Sequence, residues 1–212
     1  MIKGIIFDLD GVITNTAKYH FKAWKKLASE LGIEIDEKFN ESLKGVSRID
    51  SLKKILEYAG KENMYSQEDI VRLCDKKNEE YKEMLKNLSK EDILPGIENF
   101  IDELKKNNIK IGLASVSKNA PFILEKLALS CKIDYIADPS AVKRGKPAPD
   151  IFLAAAEGIN VEVEDCIGIE DSKAGVEAMK SCNMRSVGIA TKADLTLEST
   201  EELSLEKIRE LD

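Results

Sequence analysis

The strongest constraint on the fold lies near the amino terminus, where the apolar run Ile5-Ile6-Phe7 stops abruptly at Asp8-Leu9-Asp10-Gly11-Val12. Continuous apolar runs of this kind belong to parallel strands buried on both faces. Side chains two apart on a strand share a face, so Asp8 and Asp10 emerge together. Open α/β sheets bind ligands just past the carboxyl ends of their strands. Two carboxylates there repel each other unless a cation or a shared proton relieves them. Gly11 lets the backbone turn sharply and come close to a ligand. Taken alone, the same residues also read as an acidic loop with an ordinary Asp-Gly turn.

The pattern after Gly11 is helical for a long stretch. Phe21, Trp24, Leu27, Ala28 and Leu31 recur at three- and four-residue steps up to Gly32. A second helix is predicted over 37–43, and Lys44-Gly45-Val46-Ser47-Arg48 is a break. Ser47 with Asp50, and Ser66 with Asp69, have the spacing of a capping box. Behind them run the apolar faces Ile49, Leu52, Ile55, Leu56, Ala59 and Ile70, Leu73, Cys74, Tyr81, Met84, Leu85, Leu88. Residues 16–91 are therefore expected to form a helical cap inserted after the first strand, with 1–15 and 92–212 forming an α/β core.

Alternation resumes after Leu94-Pro95-Gly96. A helix face at Ile97–Leu104 precedes a strand ending in Ser115. Pro121 suits a helix start, and Tyr135-Ile136-Ala137 is a short strand. Lys146-Pro147-Ala148-Pro149-Asp150 is a stiff turn into a helix, and Cys166-Ile167-Gly168-Ile169 is a strand ending in Glu170-Asp171-Ser172. A helix near 173–182 and a strand at 186–190 follow. Residues 191–200 read as irregular, and 204–211 as a final helix. This order predicts a doubly wound parallel sheet built by right-handed crossovers.

Composition excludes several functions. The 212 residues carry 32 basic and 39 acidic side chains, a net charge of -7, which argues against a general nucleic-acid grip. No apolar stretch approaches the roughly 20 residues needed to span a bilayer, and Asp8 arrives too early for a signal peptide. Cys74, Cys131, Cys166 and Cys182 are widely spaced without a CxxC pair, as expected of free thiols in a reducing cytoplasm.

Reactive groups stand at successive strand ends: Asp8 and Asp10, Ser115, Lys146, and Glu170 with Asp171. Singly, a serine after a strand is a turn residue, a lysine before proline is solvated, and Glu-Asp-Ser caps a helix. In this order, the set resembles the four motifs of the haloacid dehalogenase-type phosphotransferases, with Asp8-Leu9-Asp10-Gly11-Val12 as the first. The resemblance implies that Asp8 is the nucleophile that becomes phosphorylated and Asp10 the general acid/base. It also implies Mg²⁺ held by Asp8, the Asp10 carbonyl, Asp171 and Glu170. Lys146 would be a fixed positive charge, and Ser115 and the Val116 amide would be donors to the phosphoryl oxygens.

Further stretches resemble the β-phosphoglucomutase family within that superfamily: Gly11 to Trp24, Lys44 to Arg48, Ala114 to Asn119, Ala137-Asp138-Pro139, Lys146 to Phe152, and Gly168 to Ser172. By that likeness, Arg48 with Ser117, Lys118 and Asn119 would hold the phosphate not being transferred. His20, with Lys44 and Gly45, would orient the sugar and Asp10. Thr16 would belong to the hinge, and Trp24 shares its helix face with Thr16 and His20. The implied reaction interconverts β-D-glucose 1-phosphate and glucose 6-phosphate through β-glucose 1,6-bisphosphate, in a cytoplasmic monomer. A sugar-phosphate phosphatase of the same fold, and a non-catalytic scaffold, are the alternatives. The chain departs from the family at Asn15, where relatives usually carry Asp, and at the basic stretch Val142-Lys143-Arg144-Gly145 before the motif lysine.

Overall fold

A computed structural model describes residues 2–211. The chain divides into two compact units, Met1–Asn15 with Leu88–Asp212, and Thr16–Asn87.

The first unit is built on six strands: β1 (Gly4–Phe7), β2 (Lys110–Leu113), β3 (Tyr135–Ile136), β4 (Cys166–Glu170), β5 (Arg185–Ile189) and β6 (Leu195–Leu197). All pair in parallel in the order β3-β2-β1-β4-β5-β6. The apolar run at the amino terminus is thus a central strand, with Ile5 opposite Ile111 on one side and Ile167 on the other. Ile5, Ile6 and Phe7 are fully buried, as a strand covered on both faces requires. The crossover helices are α5 (Ile97–Lys106), α6 (Ala120–Lys126), α7 (Asp150–Gly158) and α8 (Lys173–Ser181). Ile151, Phe152 and Ala155 of α7 pack with Val176 and Met179 of α8 against Ile6 and Cys166. Phe100 of α5 meets the Phe7 ring edge-on at 6.0 Å.

Strand β6 is a correction: the sequence pattern predicts irregular chain over 191–200, and Leu195–Leu197 pair with β5 instead. Three residues are too few for a period-two pattern to register, and side-chain bonds hold the segment in place. The Asp194 carboxylate accepts from the Ser186 amide at 2.9 Å and its hydroxyl at 2.6 Å. The final helix is also shorter than the pattern predicts: α9 spans Leu205–Ile208 and tightens into a 3₁₀ turn at Arg209–Leu211.

The second unit holds α1 (Ala17–Glu30), α2 (Glu37–Glu41), α3 (Arg48–Tyr58) and α4 (Gln67–Leu85). Its own core gathers Trp24, Leu27, Ile33, Leu52, Ile55, Ile70 and Cys74. Ser66 and Asp69 form a reciprocal capping box that starts α4, and the Ser47 hydroxyl accepts from the Asp50 amide to start α3. Helix α4 packs on both α1 and α3. Among the described residues, no helix is long and apolar enough to cross a membrane.

Candidate active site

The sheet unit brings four sequence-predicted carboxylates and one lysine to the carboxyl ends of β1 and β4. Asp8 follows β1, and its amide donates to the Ile169 carbonyl at 2.9 Å. The chain then closes a tight loop in which the amides of Ile13 and Thr14 both donate to the Leu9 carbonyl and Gly11 donates to Thr14. Gly11 sits at φ +85°, and a β-carbon there would overlap the Asp171 carboxylate. Glycine is therefore required both for the turn and for Asp171 to lie alongside it.

Lys146 is the hub. Its ammonium donates to Asp8 Oδ1 at 2.5 Å and to Glu170 Oε2 at 2.7 Å, with no part of the side chain exposed. It also lies 4.9 Å from the centre of the Phe152 ring. Burial alone would lower the Lys146 pKa, but Asp8 and Glu170 outweigh it and hold the ammonium above the usual lysine range. Burial, then the Glu170 charge, push the Asp8 carboxyl well above its usual range, against the pull of Lys146. In the basic stretch before the lysine, Arg144 reaches both Asp150 oxygens, from Nε at 3.4 Å and Nη2 at 3.0 Å.

Glu170 is anchored on every side. Its second oxygen accepts from the Asp171 amide (3.2 Å), the Ser172 amide (3.1 Å) and the Ser172 hydroxyl (2.9 Å). Ser172 caps α8 through the Gly175 amide at 3.1 Å. A β-carbon at Gly175 would overlap the Glu170 carboxylate, so α8 approaches closely because of a glycine.

Carboxylate oxygens of Asp8, Glu170 and Asp171 all lie within 4.8 Å of one another. A donor set of hard oxygens carrying more negative charge than Lys146 can balance fits a divalent cation such as Mg²⁺. With Glu170 committed to Lys146 and Ser172, the groups suited to direct ligation are Asp8 and Asp171. Glu170 then fixes the lysine and the turn beside them.

The loop after β2 supplies hydroxyls. Ser115 Oγ accepts from the Ser117 amide at 3.1 Å, and Ser117 Oγ accepts from the Asn119 amide at 3.3 Å. These turns fix both oxygens and leave each hydroxyl proton available to donate. Ser115, Ser117 and Asn119 are buried, Val116 is partly so, and Lys118 is exposed.

The helical unit carries a second cluster. The ammonium of Lys77 on α4 lies 2.7 Å from His20 Nδ1 and 4.7 Å from the ring centres of both Trp24 and Tyr81. The His20 and Tyr81 rings stack at 3.9 Å. Burial, then the positive charges of Lys77 and Arg48, push the His20 pKa well below its usual value, so the ring is neutral at pH 7. An ammonium can only donate, which makes Nδ1 the acceptor and puts the ring proton on Nε2. Arg48 opens α3, and the Cys74 thiol donates to its carbonyl at 3.5 Å. Lys44 pairs with Glu41 at 3.0 Å, and Gly45 turns the chain at φ +68°. Thr16 stands at the start of α1, its hydroxyl oxygen buried without a hydrogen-bond partner among the described residues.

The sequence reading missed Lys77. A signal was present: positions 70, 74, 77 and 81 form one helical stripe, and a lysine interrupts it.

Comparison with known proteins agrees with this arrangement. The model of the haloacid dehalogenase-like hydrolase family matches residues 2–183. The β-phosphoglucomutase of Bacillus subtilis is 46% identical, over 99% of this chain and 95% of its own length. A phosphorylated carbohydrates phosphatase of Thermotoga maritima is 29% identical over 88% of the chain and 84% of its own length. The crystal structure of a β-phosphoglucomutase from Clostridium difficile superposes with a TM-score of 0.97 at 51% identity, covering 99% of this chain and 96% of that one. A doubly wound sheet with an aspartate pair after its central strand, a buried lysine between two carboxylates and a near full-length likeness to these enzymes place the chain in the haloacid dehalogenase-like hydrolase family.

Proposed function

We propose that the chain has β-phosphoglucomutase activity, interconverting β-D-glucose 1-phosphate and glucose 6-phosphate through phospho-Asp8 and β-glucose 1,6-bisphosphate. The observation that carries this reading is the buried Asp8–Lys146–Glu170 group at the strand ends. It supports a carboxylate nucleophile whose charge is matched by a fixed ammonium.

In the forward half-reaction, phospho-Asp8 gives its phosphoryl group to a sugar hydroxyl. Asp10 takes the proton of that hydroxyl, and the Asp8 carboxylate is restored. The bisphosphate then presents its other end, Asp8 attacks that phosphorus, and Asp10 returns the proton to the departing sugar oxygen. Lys146, the Ser115 hydroxyl and the Val116 amide meet the negative charge spread over the phosphoryl oxygens. Mg²⁺, held by Asp8, the Asp10 carbonyl and Asp171 with Glu170 beside them, would supply further positive charge to those oxygens.

The reaction needs a second phosphate site, because the bisphosphate binds in two orientations. Arg48 is assigned to it with Ser117, Lys118 and Asn119, since a guanidinium binds phosphate bidentately. Neutral His20, with its proton on Nε2, is assigned to orient the sugar and Asp10, with Lys44 and Gly45 beside it and Thr16 at the hinge. Trp24 supports that helix face. The enzyme is proposed to act as a monomer in the cytoplasm.

The test is incubation of purified protein with β-glucose 1-phosphate, Mg²⁺ and a trace of bisphosphate. Glucose 6-phosphate should accumulate. Rapid free phosphate without glucose 6-phosphate would reject the mutase in favour of a sugar-phosphate phosphatase.

A further inference from the structure

The guanidinium of Arg48 faces a carboxylate. Its Nη1 lies 3.8 Å from Asp75 Oδ1 on α4, with the Arg48 side chain 24% exposed and that of Asp75 70% exposed. The separation is too long for a hydrogen bond. Charge attraction is therefore present, while the planar donor fork is not locked to Asp75. The backbone that carries Arg48 is held independently, by the Ser47 cap and by the Cys74 thiol on its carbonyl.

We propose that Asp75 is a positioning residue that competes with the substrate's distal phosphate for Arg48, and so sets how readily the bisphosphate lets go. The proposal rests on the assignment of Arg48 to that phosphate. When phosphate binds, the guanidinium turns its fork to two phosphate oxygens and gives up the looser attraction. When phosphate leaves, Asp75 receives the charge again, which lowers the barrier to release. A phosphatase that frees its product needs no such exchange. A mutase must loosen its grip on an intermediate in order to rebind it the other way round. The pair is exposed on the Asp75 side, so the effect is modest and salt-screened.

The experiment measures binding of glucose 6-phosphate to enzyme whose Asp8 is occupied by beryllium fluoride with Mg²⁺, in the wild type, Asp75→Asn, Arg48→Ala and the double variant. Thermal melts of each serve as folding controls, and Arg48→Lys is a milder second variant. Asp75→Asn should bind roughly two- to fivefold tighter at low salt, corresponding to an exposed ion pair. The gain should vanish in the Arg48→Ala background and shrink at high ionic strength. In turnover, Asp75→Asn should lower both the KM for bisphosphate and kcat. Unchanged or weaker binding in Asp75→Asn overturns the proposal, as does an equal gain with and without Arg48, which would mark a general field effect. If Arg48→Ala and Arg48→Lys both bind like the wild type, the phosphate assignment itself fails, a result distinct from either of these.

Discussion

Lys146 links the proposed chemistry to the stability of the sheet unit. It is fully enclosed and balances two carboxylates at 2.5 and 2.7 Å. Removing one partner of a buried ion pair strands the other. Lys146→Met should therefore destabilise the metal-free protein by about 3–5 kcal/mol in urea unfolding, and should lower the rate of Asp8 phosphorylation by on the order of a hundredfold or more. His20 gives a second prediction. Its folded pKa is lowered by burial and by Lys77 and Arg48, so below about pH 6.5 the unfolded chain binds the proton more readily. Stability should then fall as pH drops through that value and on toward the folded pKa, by at most about 1.4 kcal/mol per pH unit. His20 is the only histidine, so His20→Gln should flatten this part of the unfolding free-energy profile. An unchanged slope would show that the ring titrates normally.

At the scale of elements, the site depends on how closely α8 meets the end of β4. Gly175 permits that approach, and a methyl group there would run into the Glu170 carboxylate. Gly175→Ala should cost about 1–3 kcal/mol as the helix start shifts. It should also reduce turnover, because Glu170 holds Lys146; a variant with wild-type stability and rate would show that α8 can move without consequence. Strands β1 and β4 and their acidic ends were legible in the sequence because continuous apolar runs stop sharply at charge. The capped helices α3 and α4 were legible from Ser-x-x-Asp ahead of a regular apolar stripe. Strand β6 was not, since three residues held by Asp194 and Ser186 leave no periodic trace. Lys77 was hidden for another reason: it sits in the charged run Asp75 to Glu80, where a lysine reads as solvated, yet its helical phase turns it inward. The network around Glu170 was equally invisible, because hydrogen bonds to neighbouring amides depend on backbone geometry that residue order does not state.

At the scale of the whole molecule, the sheet unit and the helical unit each bury hydrophobic residues of their own, so a ligand held by one unit should act first on that unit. The carboxylate group around Asp8 belongs to the sheet unit alone. Mg²⁺ should accordingly protect amides of that unit in hydrogen exchange, and raise its stability by about 2.7 kcal/mol at a hundredfold excess over Kd. Chelation should reverse the effect and Asp171→Asn should abolish most of it. Equal protection in that variant would remove Asp171 from the binding set.

The strand that carries Asp8 precedes the other strands of its sheet in the chain, yet its neighbours on either side are residues 110–113 and 166–169. Lys146 and Glu170 likewise lie more than a hundred positions downstream. During synthesis Asp8 therefore spends most of its time as an ordinary hydrated aspartate beside an unpaired sticky segment. Its reactivity and its protection from aggregation both arrive late and together, when the fourth strand leaves the ribosome and slots in alongside.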